Sequence, residues 1–301
     1  MTAHRHREHY LVGLVGEGIT VSLTPPMHEA EAAALGLDYE YRTFDLIELG
    51  LRAEDVGRVL DEAKRDGFAA MNITHPCKQL VLDLVDELDA DAARLQAANL
   101  VVFDDGHLIG YNTDWIGFRD GLTVGLPDAS FDRVLQIGCG GAGAATAYAL
   151  LSHGTTRLGL CDVDYQRAQN LAGRMQALFP DQSIVAVPRA ALDGGIAGAN
   201  GVVHATPMGM SHHPGVAFDL SLLRAGAWVS EVVYRPLQTE LLRRAEERGH
   251  PVLDGGRMAV GQAYASLQII TGTVPDRARM ERHFRALVGA EGRSHSGGSS
   301  R

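Results

Sequence analysis

One group in this chain placed to move a proton is a lysine shortly after an apolar run, in Asn72-Ile73-Thr74-His75-Pro76-Cys77-Lys78. Ligands of open α/β sheets gather beyond the carboxyl ends of strands, so Asn72, Thr74 and Lys78 stand where chemistry is done. The competing reading is a polar loop with Lys78 on a solvated helix face. Ser22 and Thr24 put two hydroxyls on one side of an extended segment, just ahead of a helix opened by Pro25 and Pro26. Two neutral donors beside helix amides suit a carboxylate, although Thr24 alone reads equally well as the N-cap of that helix. Asn99 and Tyr111-Asn112-Thr113-Asp114 add amides and a carboxylate among apolar neighbours; Asp114 has the alternative of capping a helix that begins at Trp115.

A second kind of chemistry is written in Gly138-Cys139-Gly140-Gly141-Ala142-Gly143, which contains G-x-G-x-x-G. The first glycine permits a tight turn, the second lets backbone approach a pyrophosphate, and the third lets a helix pack closely on its strand. The amides at that helix N-terminus face phosphate charge. Such a motif is weak alone, but here it follows an apolar run and opens an alanine-rich stretch inside a βαβ pattern. Asp162 stands 24 positions after Gly138, where a carboxylate accepts from adenosine ribose hydroxyls and repels a 2′-phosphate. Asp162 or Asp164 also serves as the cap of a helix starting near Tyr165. Arg167 is the complication, since a guanidinium can meet a 2′-phosphate or pack on adenine. With Asp162 present, NAD is favoured over NADP.

The elements that must position these groups follow from the apolar pattern. A length of 301 residues suggests two domains. A 46% hydrophobic content with 21% charged residues interspersed excludes a disordered polyampholyte. The net charge of −10 argues against nucleic acid or an anionic membrane as partner. Three scattered cysteines, Cys77, Cys139 and Cys161, read as reduced thiols of a cytoplasmic protein, with neither disulfide frame nor zinc site. No apolar stretch follows the basic N-terminus, so no secretory signal is expected. Residues 134–156 lack Asp, Glu, Lys and Arg, but five glycines and His153 interrupt the run. A strand, a glycine turn and a helix explain it better than a membrane span.

Short β-rich runs alternate with amphipathic stretches, predicting an α/β protein with parallel sheets in two lobes and a cleft between them. Strands are expected at 10–15, 39–44 and 68–73, helices at 25–34 and 53–65, and a hairpin around Asp105-Gly106. A second series follows: strand 132–137, helix 141–153, strand 156–161, helix 164–178, then strands 183–187, 200–204 and 227–233. That is the layout of a nucleotide-binding domain. Helices at 257–271 and 276–288 return to the first unit. The expected domains are 1–117 with 257–290 for substrate, and 118–256 as a Rossmann NAD-binding domain. A disordered Gly/Ser-rich tail is expected over 291–301.

Taken together, the sequence resembles the shikimate dehydrogenase family, and most closely its NAD-dependent quinate/shikimate dehydrogenase branch, from Gly13 to about Leu287. The resemblance rests on SLTPPMHEA (22–30), NITHPCK (72–78), AAN (97–99), GYNTD (110–114), GCGGAG (138–143), ATPMGM (205–210), EVVYRP (231–236) and GGRMAVGQA (255–263). It implies that Lys78 and Asp114 form a catalytic pair, and that Ser22, Thr24, Asn72, Thr74, Asn99, Tyr234 and Gln262 contact substrate. It also implies that Gly138, Gly140, Gly141, Ala142, Gly143, Asp162 and Arg167 hold the dinucleotide, while Thr206, Pro207, Met208, Val233, Gly255 and Met258 line the nicotinamide. No metal is implied. Three departures bear on specificity. Cys161-Asp162-Val163 stands where NADP-using members carry an Asn-Arg-Thr type motif. Ser-x-Thr replaces the Ser-x-Ser usual in strict shikimate enzymes, and Leu100 replaces a threonine after Asn99.

The implied reaction is reversible, NAD-dependent oxidation of shikimate to 3-dehydroshikimate or of quinate to 3-dehydroquinate, by a monomer or homodimer. Lys78 accepts the hydroxyl proton and must present a free amine to do so, which predicts oxidation that speeds up at alkaline pH. Two rivals stand beside it: a family member acting on an amino- or otherwise modified shikimate, and a non-catalytic sensor of the same fold. Retention of both Lys78 and Asp114 disfavours the sensor.

Overall fold

A computed structural model describes residues 7–296 of the chain. The strands and helices up to the first seam are β1 (His9–Gly16), α1 (Thr24–Ala34), β2 (Asp38–Asp45), α2 (Val56–Arg65), β3 (Ala70–Ile73), β4 (Glu87–Leu88), α3 (Ala90–Leu95), β5 (Leu100–Asp104) and β6 (His107–Tyr111). There follow α4 (Asp114–Gly125), β7 (Arg133–Ile137), α5 (Gly141–Ser152), β8 (Arg157–Cys161), α6 (Tyr165–Leu178), β9 (Ser183–Ala186), α7 (Leu192–Gly198), β10 (Gly201–His204), β11 (Trp228–Glu231), α8 (Glu240–Glu246), β12 (Val252–Leu253), α9 (Gly255–Thr271) and α10 (Arg277–Ser296). Contacts divide the chain into two compact units. The first holds residues up to Thr113 and from Val260, the second Asp114–Ala259. Sequence placed these seams at 117/118 and 256/257. The first moves to Asp114 because α4 starts there and packs along its length on α5; the second cuts inside α9.

In the first unit the strand order is β2-β1-β3-β5-β6-β4. β1 pairs in parallel with both β2 and β3, and its near-continuous apolar run is what a central strand covered on both faces requires. Period-two alternation sends Leu11 and Val15 into one core cluster and Tyr10, Val12 and Leu14 into another. Over the first cluster lies α2, which buries Val56, Val59, Leu60 and Ala63 at helical spacing. The sheet of this unit is mixed: the expected hairpin joins β5 to β6 antiparallel, and β5 also runs antiparallel to β3. Asp105 (φ 45°) and Gly106 (φ 87°) make the two-residue hairpin turn, both central residues left-handed as a type I′ turn demands.

In the second unit the order is β12-β11-β10-β7-β8-β9, with every pair parallel. Numbered within the unit from the far edge, that is the 3-2-1-4-5-6 arrangement of a dinucleotide-binding sheet, whose switch point lies beside its first strand, β7. α5 buries every residue from Gly143 to Leu151, so it is apolar all round. The charge-free stretch 134–156 is thereby divided between a strand and a buried helix. No helix among the described residues is long and apolar enough to cross a membrane.

Several boundaries differ from expectation. The helix at 53–65 opens as a 3-10 turn, Ala53–Asp55, before α2. The short β4, β12 and α8 were not anticipated, two-residue strands being too brief for any periodicity. α10 runs on to Ser296, so residues 291–296, expected as tail, are helical; no proline or glycine pair interrupts the chain before Gly297-Gly298. Residues 297–301 of that tail lie outside the described residues.

Candidate active site

In the first unit Asn72 ends β3 and is buried, and its Nδ2 donates to the Tyr41 hydroxyl at 2.8 Å. Its Oδ1 is buried with no hydrogen-bond partner in the protein. A buried amide oxygen without a donor costs about 1–3 kcal/mol, and Asn72 Oδ1 is an acceptor that the protein itself does not satisfy. The following segment is laced to β1 and to the Asn99 strand. Thr74 N donates to Val15 O (3.0 Å), Glu17 N to His75 O (3.0 Å), Ile73 N to Asn99 O (2.8 Å), and Ala98 N to Lys78 O (2.9 Å). Asn72, Thr74, Lys78 and Asn99 are thus brought together by backbone bonds. Lys78 is half-buried and follows Cys77, a fully buried thiol that burial pushes up to about 11. Cys77 is therefore an inert anchor.

Asn99 is buried against Thr113, taking its N–H on Oδ1 at 2.7 Å and donating from Nδ2 to Thr113 Oγ1 at 2.9 Å. The Thr113 hydroxyl also meets Ser266 Oγ of α9 at 3.1 Å. Gln262, half-buried, lies one turn earlier on α9.

Ser22 sits on a loop built around Asp45, and Thr24 opens α1 just after it. That carboxylate accepts from Gly18 N (3.1 Å), Ile19 N (2.7 Å), Thr20 N (3.3 Å) and Ile47 N (3.1 Å). Burial alone would raise its pKa, but the four backbone donors hold it below the ordinary carboxylate value. Ser22 N then donates to Ile19 O at 2.9 Å, and Ser22 Oγ accepts from Thr24 N at 3.3 Å. Thr24 is not the N-cap of α1: Leu23 holds that place, with no side-chain cap bond. Both hydroxyls are half-buried. Behind Asn72, Tyr41 belongs to an aromatic group with Tyr39 and His28. His28 Nδ1 lies 2.8 Å from the Tyr39 hydroxyl. Desolvation lowers the His28 pKa to about 3 and raises those of both phenols, so this layer carries no charge at neutral pH.

In the second unit the glycine loop is tightly determined. Gly138 has φ 104°, and a Cβ there would lie 2.5 Å from Ala205 O and 2.8 Å from Thr206 Cγ2. A Cβ on Gly143 would lie 2.3 Å from Gly138 O. Gly140 and Gly141, at the start of α5, face open space. Gln136, wholly buried in β7 two residues before Gly138, donates from Nε2 to Gly138 O (2.9 Å) and Gly143 O (2.7 Å), and Thr146 Oγ1 donates to its Oε1 (2.9 Å). A bare helix N-terminus without a side-chain cap, with two glycines leaving room above it, fits a pyrophosphate.

Asp162 is buried with its carboxylate already engaged: Oδ2 accepts from Cys139 N at 2.8 Å and Oδ1 from Asp164 N at 2.9 Å. Asp164, not Asp162, caps α6, accepting from Gln166 N and Arg167 N. Arg167 is exposed, 3.6 Å from Asp162 and 3.9 Å from Asp164. Thr206 is half-buried, Pro207 and Met208 are exposed, and Val233 is buried. A Cβ on Gly255 would lie 2.3 Å from Val232 O and 2.5 Å from Val233 O, so α9 opens directly on the 231–236 segment, which carries the half-buried Tyr234. Met258 follows one turn on. Asp114, buried, is the first residue of α4. Asp114 and Tyr234 therefore belong to the second unit, apart from the other expected substrate residues. Among the described residues no group of three or more His, Cys, Asp or Glu is arranged to hold a metal.

Sequence reasoning missed Tyr41, Asp45, Gln136, His204 and Glu231. The last three had a signal: Gln136 interrupts the apolar run VLQI, and His204 and Glu231 end the runs GVVH and WVSE with ionisable residues. Tyr41 and Asp45 act through bonds to distant segments and had none.

Comparison with known proteins agrees with this geometry. Residues 14–101 match the family model described as the shikimate dehydrogenase substrate binding domain. The chain is 54% identical over 94% of its length, and 97% of the relative's, to a shikimate dehydrogenase (NADP+) of Pseudarthrobacter chlorophenolicus. It is 46% identical over 92% of its length, and 98% of the relative's, to a quinate/shikimate dehydrogenase (NAD+) of Corynebacterium glutamicum. The structure of quinate dehydrogenase from Corynebacterium glutamicum in complex with NAD superposes with a TM-score of 0.88 at 46% identity, covering 93% of this chain and all (100%) of that one. Identity of this depth over more than nine tenths of the chain means that it belongs to the shikimate dehydrogenase family of oxidoreductases.

Proposed function

We propose that this protein oxidises a ring hydroxyl of shikimate, quinate or both, reversibly, with NAD as the preferred hydride acceptor. The observation that carries the reading is end-to-end kinship with proteins named for those substrates. Ser22 and Thr24 donate to the substrate carboxylate, while Asn72, Thr74, Asn99, Tyr234 and Gln262 meet the remainder of the ring and its hydroxyls. Asn72 contributes its unpartnered Oδ1 as an acceptor. Lys78 Nζ takes the proton from the hydroxyl under oxidation, and Asp114 is the carboxylate that supports the ammonium so formed. Bound nicotinamide supplies the hydride acceptor; the protein holds carbon against carbon and removes the proton.

The glycine loop with Gly140, Gly141, Ala142 and Gly143 receives the pyrophosphate, and Thr206, Pro207, Met208, Val233, Gly255 and Met258 line the nicotinamide half. The preference for NAD rests on Asp162. Its two backbone bonds fix a negative charge beside the loop, and Arg167 is already turned to two carboxylates. Relatives named for NADP and for NAD are both similar to this chain, so the deciding experiment is steady-state oxidation of quinate and of shikimate, each with NAD+ and NADP+. Faster turnover at low NAD+ than at equal NADP+ is expected. A clear NADP+ preference overturns the Asp162 argument, and no turnover with any pairing overturns the reaction.

A further inference from the structure

Two charged-type residues are buried in the second unit where its strands end. His204 closes β10 and Glu231 closes β11; they are cross-strand partners, 0% and 1% exposed. His204 Nδ1 lies 2.7 Å from Glu231 Oε1, and His204 Nε2 is hydrogen-bonded to Thr206 Oγ1. The Thr239 hydroxyl donates to Glu231 Oε2, and its oxygen accepts from Leu242 N at 3.2 Å as the cap of α8. One unbroken line of hydrogen bonds thus runs from the start of α8 through Thr239, Glu231 and His204 to Thr206. Gly209 (φ 96°) closes over it, its Cβ direction 3.1 Å from Glu231 Oε1.

With Glu231 as its carboxylate and His204 as the neutral imidazole, a proton count along that line gives what Thr206 offers. Both Glu231 oxygens accept, so the imidazole carries hydrogen on Nδ1. A neutral ring then leaves Nε2 bare, and the Thr206 hydroxyl donates to it. Met208 N donates to the same hydroxyl oxygen at 3.3 Å. The hydroxyl has spent its one hydrogen and keeps a lone pair for a ligand. Its methyl lies against Gly138, the first glycine of the dinucleotide loop.

We infer that Glu231 and His204 are positioning residues that convert the Thr206 hydroxyl into a fixed hydrogen-bond acceptor for a donor on the nicotinamide half of the dinucleotide. The inference rests on the cofactor reading above. A staple that merely joined β10 to β11 would need no third member reaching into the 205–210 loop.

The test is equilibrium binding of NAD+ to the full-length protein without substrate, by calorimetry, for His204→Gln, Thr206→Val and the double variant, with thermal midpoints alongside. Each single change is expected to weaken NAD+ by roughly tenfold, as losing one hydrogen bond does. The double variant should be no weaker than either single one, because His204 acts only through Thr206. Should His204→Gln fail to fold, Glu231→Gln, which keeps the side-chain shape, is held to the same non-additivity with Thr206→Val. Additive losses, or NAD+ binding unchanged while only the thermal midpoint falls, overturn the inference. Wild-type protein that binds neither NAD+ nor NADP+ overturns the cofactor reading itself, and this proposal with it.

Discussion

The substrate segments of the first unit and the dinucleotide loop of the second solve the same problem in opposite ways. Around the glycine loop, polar groups are paired with one another: Gln136 with Gly138, Gly143 and Thr146, and Asp162 with Cys139 and Asp164. What is left for a ligand is backbone shape and the open space above Gly140 and Gly141. In the first unit, Asn72 is paired on one side only, and its buried Oδ1 has no donor. A pyrophosphate looks alike in every dinucleotide and can be met by a rigid backbone. A ring carrying several hydroxyls is told from its isomers only by side-chain donors and acceptors kept available, at a standing cost in stability.

The largest effect belongs to Lys78, the group proposed to move the proton. Lys78→Ala should cut kcat by about 10²–10⁴-fold, the range of a lost general base, while NAD+ affinity measured without substrate stays unchanged. Near-normal turnover by the variant would reduce Lys78 to a binding residue.

Next comes Gln136→Leu, which attacks the self-paired side of the comparison. It takes the side-chain donor from the Gly138 carbonyl and one partner each from the Gly143 carbonyl and the Thr146 hydroxyl, which keep their mutual bond of 3.1 Å; a buried group left unpaired costs about 1–3 kcal/mol. KM for the dinucleotide should rise roughly 10–100-fold and the thermal midpoint should drop, with KM for the ring substrate held. If substrate KM rises equally, the loop is not a separate device.

Tyr41→Phe sharpens the other side. It leaves the Asn72 Nδ2 without its acceptor, freeing the amide to turn, so the ring substrate should bind about tenfold more weakly while NAD+ binding does not change. Unaltered substrate KM would mean that packing alone holds Asn72.

These variants also mark how far the sequence could be read. The glycine loop, Asp162 and the βαβ order were legible because they depend on neighbours close in the chain or on strand periodicity. Lys78 and Asn72 were legible as types at a strand end, and the Ser22/Thr24 pair as hydroxyls ahead of a proline-opened helix; all became specific only through several motifs in family order. Tyr41 and Asp45 were hidden, since each works on a segment some 25–31 positions away and nothing local marks it. The mixed sheet was hidden in part: the Asp105-Gly106 turn announced the hairpin, but no pattern in LVVFD reveals that β5 lies antiparallel to β3.

The smallest effect is one of pH. Four backbone donors hold the Asp45 pKa below its ordinary value, outweighing burial, which acts the other way. A carboxylate whose folded pKa is depressed contributes stability that is fully present above the unfolded value, about 3.9, and is lost as pH falls through the folded value. In Asp45→Asn one carboxylate oxygen becomes an NH2 that cannot accept, and the 18–20 loop loses part of its frame. At neutral pH the variant should melt about 2–4 °C lower for each kcal/mol lost, and its KM for the ring substrate should rise because Ser22 hangs on Ile19 O. Below about pH 4 the melting difference should shrink, and it should vanish once the wild-type carboxyl is protonated. A difference that persists undiminished into acid would show that Asp45 works by shape alone, and the first unit's carboxylate loop would then be as self-sufficient as the glycine loop of the second.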